Sequence, residues 1–175
     1  MVKTALFLRH AKSDRSDASQ IDFDRPLAKR GFIDAPRVGT VLGRFQTVPH
    51  KIISSPALRA KQTAELVAKA CGYKENIDWR DTFYSGGSED LINALRRLPD
   101  TVERAMLVGH NPIMEETVTT LLVGAKIQEQ ANVIIQMPTA AVVCLDLDIT
   151  DWAALQPGQA ILRWFLIPRL IKALE

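Results

Sequence analysis

Two of the three histidines stand in short polar stretches that each follow an apolar run. Leu8-Arg9-His10-Ala11-Lys12-Ser13 ends the run Ala5–Leu8, and Gly109-His110-Asn111-Pro112 follows Ala105–Val108. A third such stretch, Ser54-Ser55-Pro56-Ala57-Leu58-Arg59, follows Lys51–Ile53. These residue types suit phosphoryl transfer. A neutral imidazole can attack phosphorus and form a phosphohistidine. Two guanidiniums can clamp the non-bridging oxygens through bidentate, charge-assisted bonds. A second imidazole, protonated, can stabilise the charge of the transferring group. The first helical turn after Ser55-Pro56 can add its positive dipole end.

Taken singly, each residue has a plainer reading. A His-Arg pair is common, a helical arginine is mostly solvated, and a histidine before Asn-Pro can cap a turn. Position is what joins them. In open α/β sheets, ligands bind beyond the carboxyl ends of the strands, and all four residues follow an expected strand there.

The elements that must place them are legible as alternating patterns. Ala5–Leu8, Lys51–Ser54, Ile77–Thr82 and Ala105–Val108 are short apolar runs that suit strands. Apolar residues at helical spacing run from Leu27 to Phe45, against the local objection of Pro36 and Gly39. Ala57 to Cys71 is a second helix ended by Gly72 as C-cap. A third opens at the acidic Ser88-Glu89-Asp90, and a fourth runs to about Leu122. Ser13 to Arg25 is polar and reads as a loop.

Ala140–Leu147 and Ile161–Ile167 are β-like, and Pro168–Glu175 suits a short helix. The expected fold is a three-layer α/β sandwich. It has a mainly parallel central sheet, helices on both faces and an antiparallel edge strand. Residues 1–175 read as one domain with no cap insertion.

Composition narrows the function classes. The chain has 175 residues, 47% hydrophobic and 24% charged, as globular domains do. A net charge of +2 gives no case for nucleic acid or an anionic membrane. No stretch is long and apolar enough to span a bilayer, and Ala5–Leu8 is too short for a secretory signal. The two cysteines, Cys71 and Cys144, read as reduced thiols of a cytoplasmic protein. No metal motif or Walker loop occurs, so no metal or other cofactor is expected. His50, just before the second strand, reads as a surface residue. Ser85-Gly86-Gly87-Ser88 reads as a hinge or turn. Trp152 and Trp164 read as core or interface, and Leu162–Leu166 as an edge that can support a homodimer.

The three polar stretches resemble, in order and spacing, the signatures of the histidine phosphatase superfamily. Leu8-Arg9-His10-Ala11 is similar to its first motif, Ser54 to Thr63 to its second, and Val108-Gly109-His110-Asn111-Pro112 to its third. Asp24-Arg25-Pro26-Leu27 with Arg30-Gly31 is similar to the spacer of its SixA-type branch, named for bacterial phosphohistidine phosphatases. The likeness spans roughly residues 4–123.

It implies that His10 is the nucleophile. Arg9 and Arg59 would bind the phosphoryl oxygens, His110 would complete the pocket, and Ser16 would stand where many relatives place a phosphate-binding Asn. Mutase-like relatives carry a Glu after the third strand, in an insertion that is missing here. Asp14, Asp81, Glu89 or water would then supply the leaving-group proton, with Asp14 favoured for its nearness to His10. An imidazole leaving group needs a proton less than an alkoxide does. The likeness therefore implies a phosphohistidine protein as substrate. A small phosphomonoester, or a non-catalytic phosphoprotein-binding module, is the alternative.

Overall fold

The computed structural model describes residues 2–123 and 135–173. Its centre is a six-stranded sheet in the order β3-β2-β4-β1-β5-β6. These strands are β1 (Lys3–Arg9), β2 (Lys51–Ser54), β3 (Asp78–Trp79), β4 (Arg104–Gly109), β5 (Val142–Leu147) and β6 (Ala160–Leu166). β1 through β4 run parallel, and β5 runs antiparallel to both β1 and β6. The expected antiparallel edge is thus the β5–β6 hairpin, with β6 outermost.

β1 is an unbroken apolar run because it is buried on both faces. Ala5 and Phe7 pack into one core with Leu91, Ile92, Met114, Val118 and Trp152. Leu6 and Leu8 pack into the other, with Val38, Leu42, Ala64 and Val67. The first core is covered by α4 (Ser88–Arg96) and α5 (Ile113–Val123). The second is covered by α1 (Lys29–Arg44) and α2 (Leu58–Cys71).

Pro36 lies inside α1, and Gly39 faces α2 three residues later. A Cβ at Gly39 would lie 2.6 Å from the Val67 carbonyl oxygen and 2.7 Å from the Ala70 Cβ. The bare glycine lets α1 and α2 pack backbone to backbone. Gly72 ends α2 in the left-handed region at φ 82°, where its amide donates to the Ala68 carbonyl.

Several boundaries differ from expectation. β3 is two residues long, and Thr82–Ser85 forms α3 instead of strand. Asp81 opens that helical turn in αR geometry, so the chain cannot stay extended through Thr82. α2 begins at Leu58 with Ala57 at its cap, leaving Pro56 ahead of the helix. The tail forms α6 (Pro168–Ala173).

Trp152 is fully buried and its indole N–H donates to the Val102 carbonyl (2.6 Å). His50 is exposed at the amino end of β2, and its Nδ1 accepts from the backbone of Glu103 and Arg104. Both cysteines are buried and free. No helix among the described residues is long and apolar enough to cross a membrane.

Candidate active site

Strand register brings the two histidines together. Arg9 on β1 pairs with Gly109 on β4, so the next residue of each chain segment, His10 and His110, leaves the sheet side by side. The His10 amide donates to the Gly109 carbonyl (2.9 Å), and the Ser55 amide donates to the Val108 carbonyl (3.0 Å). Three strand ends are thereby tied at one rim. The ring centroids of His10 and His110 are 5.0 Å apart.

The tautomer of His10 follows from its partner. A carbonyl oxygen can only accept, so Nδ1–H donates to the Ala11 carbonyl (2.7 Å). The lone pair is left on Nε2. Burial is the main reason its pKa falls to about 4, and Arg59, Arg9 and Arg25 push the same way. His10 is therefore neutral at pH 7.

His110 is also neutral, its pKa pushed down to about 3 by burial first and then by His10 and Arg59. The expected imidazolium is not the state of the protein alone. Its Nε2 lies 2.9 Å from the Ser55 hydroxyl oxygen, which accepts from the Ala57 amide. A hydroxyl can donate as well as accept, so His110 carries its one N–H either on Nε2 toward Ser55 or on Nδ1. That Nδ1 is buried without a partner among the described residues. A neutral His110 can thus still donate a hydrogen bond.

Arg9 is held by a backbone oxygen, and Arg59 by a backbone and a carboxylate oxygen. Arg9 Nη1 donates to the Met137 carbonyl (2.6 Å). Glu115 fixes that segment by accepting from the Met137 amide (2.6 Å) and from Asn111 Nδ2 (2.6 Å). Arg59, in the first turn of α2, is 5% exposed. Its Nη1 and Nη2 both donate to Asp22. The Nε atoms of Arg9, Arg25 and Arg59 are all buried and unpartnered among the described residues. Buried donors left in this way favour an acceptor with several oxygens. Thr63 completes the support: its hydroxyl donates to the Arg59 carbonyl and accepts from the Ala11 amide.

The candidate acids lie in different settings. Asp14 accepts from the Ser16 amide (2.8 Å) in an Asx turn. That bond leads a set of hydrogen bonds holding its pKa low, so Asp14 is ionised at pH 7. Ser16 is exposed in the same turn. Asp81 is exposed at the start of α3. Glu89 pairs with Arg96 at 2.7 Å. No group of three or more His, Cys, Asp or Glu among the described residues is placed to hold a metal. Sequence reading missed Asp22, Arg25, Ser55, Tyr84 and Glu115 as parts of this site. The signals available were Arg25 in the Asp24-Arg25-Pro26-Leu27 spacer and Ser55 in the second motif.

This architecture has known relatives. The model of the histidine phosphatase superfamily (branch 1) matches residues 5–83. A solved structure from Agrobacterium tumefaciens, provisionally assigned as phosphohistidine phosphatase SixA, is 28% identical. It superposes with a TM-score of 0.78, over 95% of this chain and 98% of that one. A protein histidine phosphatase SixA solved with tungstate has the same fold, at 20% identity and a TM-score of 0.80, over 96% of this chain and 99% of that one.

An uncharacterized chloroplastic protein of Arabidopsis thaliana is 35% identical over 133 residues, 70% of this chain and 60% of that protein. The chain thus spans less than two thirds of that relative's length. An uncharacterized protein of Mycobacterium tuberculosis is 29% identical over 164 residues, 93% of this chain and 100% of that protein.

The chain belongs to the histidine phosphatase superfamily. Its fold is shared with the SixA structures, and fold and family are those of phosphatase hydrolases.

Proposed function

We propose that the protein is a metal-independent phosphatase that works through a phosphohistidine on His10 and acts on phosphohistidine carried by another protein. The carrying observation is the His10 Nδ1–H bond to the Ala11 carbonyl, which leaves a neutral imidazole with its Nε2 lone pair free beside Arg9 and Arg59.

In the first step Nε2 forms a bond to phosphorus while the bond to the leaving group breaks, and the leaving group keeps the electron pair. Arg9 and Arg59 bind the phosphoryl oxygens, with the His110 ring beside His10 completing the pocket. In the second step water attacks the phosphoryl group, the P–Nε2 bond breaks, and orthophosphate leaves with His10 restored.

The state of the carboxylates supports an imidazole leaving group. Asp14 is held in a turn and Glu89 is paired with Arg96. A phosphorylated imidazole protonated on its other ring nitrogen leaves as a neutral base whose conjugate acid has a reference pKa near 6.5, so its departure needs little help from a protein acid. The likeness to the provisionally assigned SixA structure supports the same substrate class. The two free thiols support a reducing compartment, and the cytoplasm is the location we assign.

The test is phosphate release from a phosphohistidine-bearing protein with EDTA present, by the wild type and by His10→Ala. Release by the wild type alone is expected. Faster release from sugar phosphates than from the protein would move the reading to a small-molecule phosphomonoesterase. Phosphate binding with no release from either substrate would leave a binding module.

A further inference from the structure

We infer that Asp22 is a positioning residue for Arg59: it grips the outer edge of the guanidinium and leaves the Nε edge for the phosphoryl group. The inference rests on the proposed function and adds a residue to it.

A guanidinium offers its five N–H groups along distinct edges of one plane. Asp22 takes the end-on edge, accepting Nη1 on its backbone carbonyl and Nη2 on Oδ2 (2.8 Å). The side-on edge, made by Nε and one Nη, is what remains. Arg59 Nε is buried there with no partner among the described residues. One residue thus binds both Nη atoms and sets the plane of the clamp. Its own place is over-determined. Arg25 Nη2 holds Asp22 Oδ1 at 2.6 Å, and the Tyr84 hydroxyl donates to Oδ2 (3.1 Å). The Tyr84 ring in turn meets Phe23 edge-on (5.0 Å) and His110 edge-on (5.6 Å).

The same contacts make Asp22 a poor proton donor. Both of its oxygens accept hydrogen bonds. Burial pulls its pKa up, but Arg59, Tyr84 and Arg25 outweigh that and keep it below the usual carboxylate range. Asp22 acts through Arg59.

The experiment is a double-mutant cycle read by kcat/KM on 4-nitrophenyl phosphate and by calorimetric binding of inorganic phosphate. Asp22→Ala should lower kcat/KM on the order of 10- to 100-fold, the cost of a misplaced catalytic group. Asp22→Asn, which keeps an acceptor oxygen, should recover part of that loss. In an Arg59→Ala background, Asp22→Ala should cost nothing more. Thermal unfolding should stay close to wild type.

Equal losses in both backgrounds would reduce Asp22 to a structural role and overturn the inference. Tighter phosphate binding by Asp22→Ala would overturn it too, by making Asp22 a competitor for Arg59. A wild type that binds inorganic phosphate but releases none from a phosphohistidine-bearing protein overturns the proposed function alone. The inference is then decided by the phosphate affinities, with weaker binding by Asp22→Ala expected. A wild type that binds no phosphate overturns both.

Discussion

His10 and His110 sit with ring centroids 5.0 Å apart and planes tilted by 52°. Each is buried, and each is the other's neighbour in a setting rich in arginine charge. Two imidazoliums could not share that space, and burial first, then these charges, keeps both rings neutral. One ring is then available as a base and nucleophile and the other as a hydrogen-bond donor, without any proton having to leave first.

Stability should therefore fall in mild acid. The folded pKa values, about 4 for His10 and about 3 for His110, lie below the ordinary histidine value of 6.5. Between those values the unfolded chain binds more protons than the folded one, so stability rises with pH through this window. It is fully present above about 6.5 and declines as pH drops toward 4. At the steepest, each histidine contributes about 1.4 kcal/mol per pH unit. Thermal unfolding at pH 7 and pH 5 checks this, and an unchanged midpoint would contradict it.

His10→Ala should abolish the covalent phosphoenzyme along with turnover. Rapid quenching with a radiolabelled substrate, followed by a test for acid-labile, base-stable label, checks it. Label retained in the variant would place the nucleophile elsewhere.

Arg9→Ala and Arg59→Ala should each lower kcat by on the order of 100- to 1,000-fold, as loss of a preorganised transition-state donor does. Steady-state kinetics decide this. A near-normal rate in either variant would remove that arginine from the clamp.

Ser55→Ala should cost about tenfold in kcat/KM, the worth of one neutral hydrogen bond. By bonding Nε2 at 2.9 Å, the Ser55 hydroxyl should set which ring nitrogen of His110 carries the proton. Nitrogen chemical shifts of His110 in wild type and variant report the tautomer directly, and an unchanged tautomer would refute the assignment.

Gly39→Val should destabilise the protein by about 2 kcal/mol without touching the site. The added Cβ falls 2.6 Å from the Val67 carbonyl oxygen, so α1 and α2 must separate. Urea unfolding measures the loss, and wild-type stability would mean that the helices yield freely.

The amino-acid order alone was enough for the α/β class, the family resemblance and the alternation that makes β1 and β4 buried strands. Period and burial are local properties, and runs such as Ala5–Leu8 and Ala105–Val108 carry them residue by residue. His10 and His110 were marked by the same logic, since each follows such a run. What made them neighbours is the β1–β4 register, Arg9 against Gly109, a long-range pairing with no local signature.

β3 was overread because Ile77–Thr82 contains strand-forming residues, while the turn at Asp81 that ends it is set by packing of Phe83 into the core. Asp22 was invisible for a different reason. It lies in a polar loop without period, and its meaning comes from Arg59, Arg25 and Tyr84, which only the folded chain brings to it. The protonation of His110 likewise belongs to the fold. Residue type supplies a group that can titrate near neutrality, but burial beside His10 and Arg59 decides that it does not.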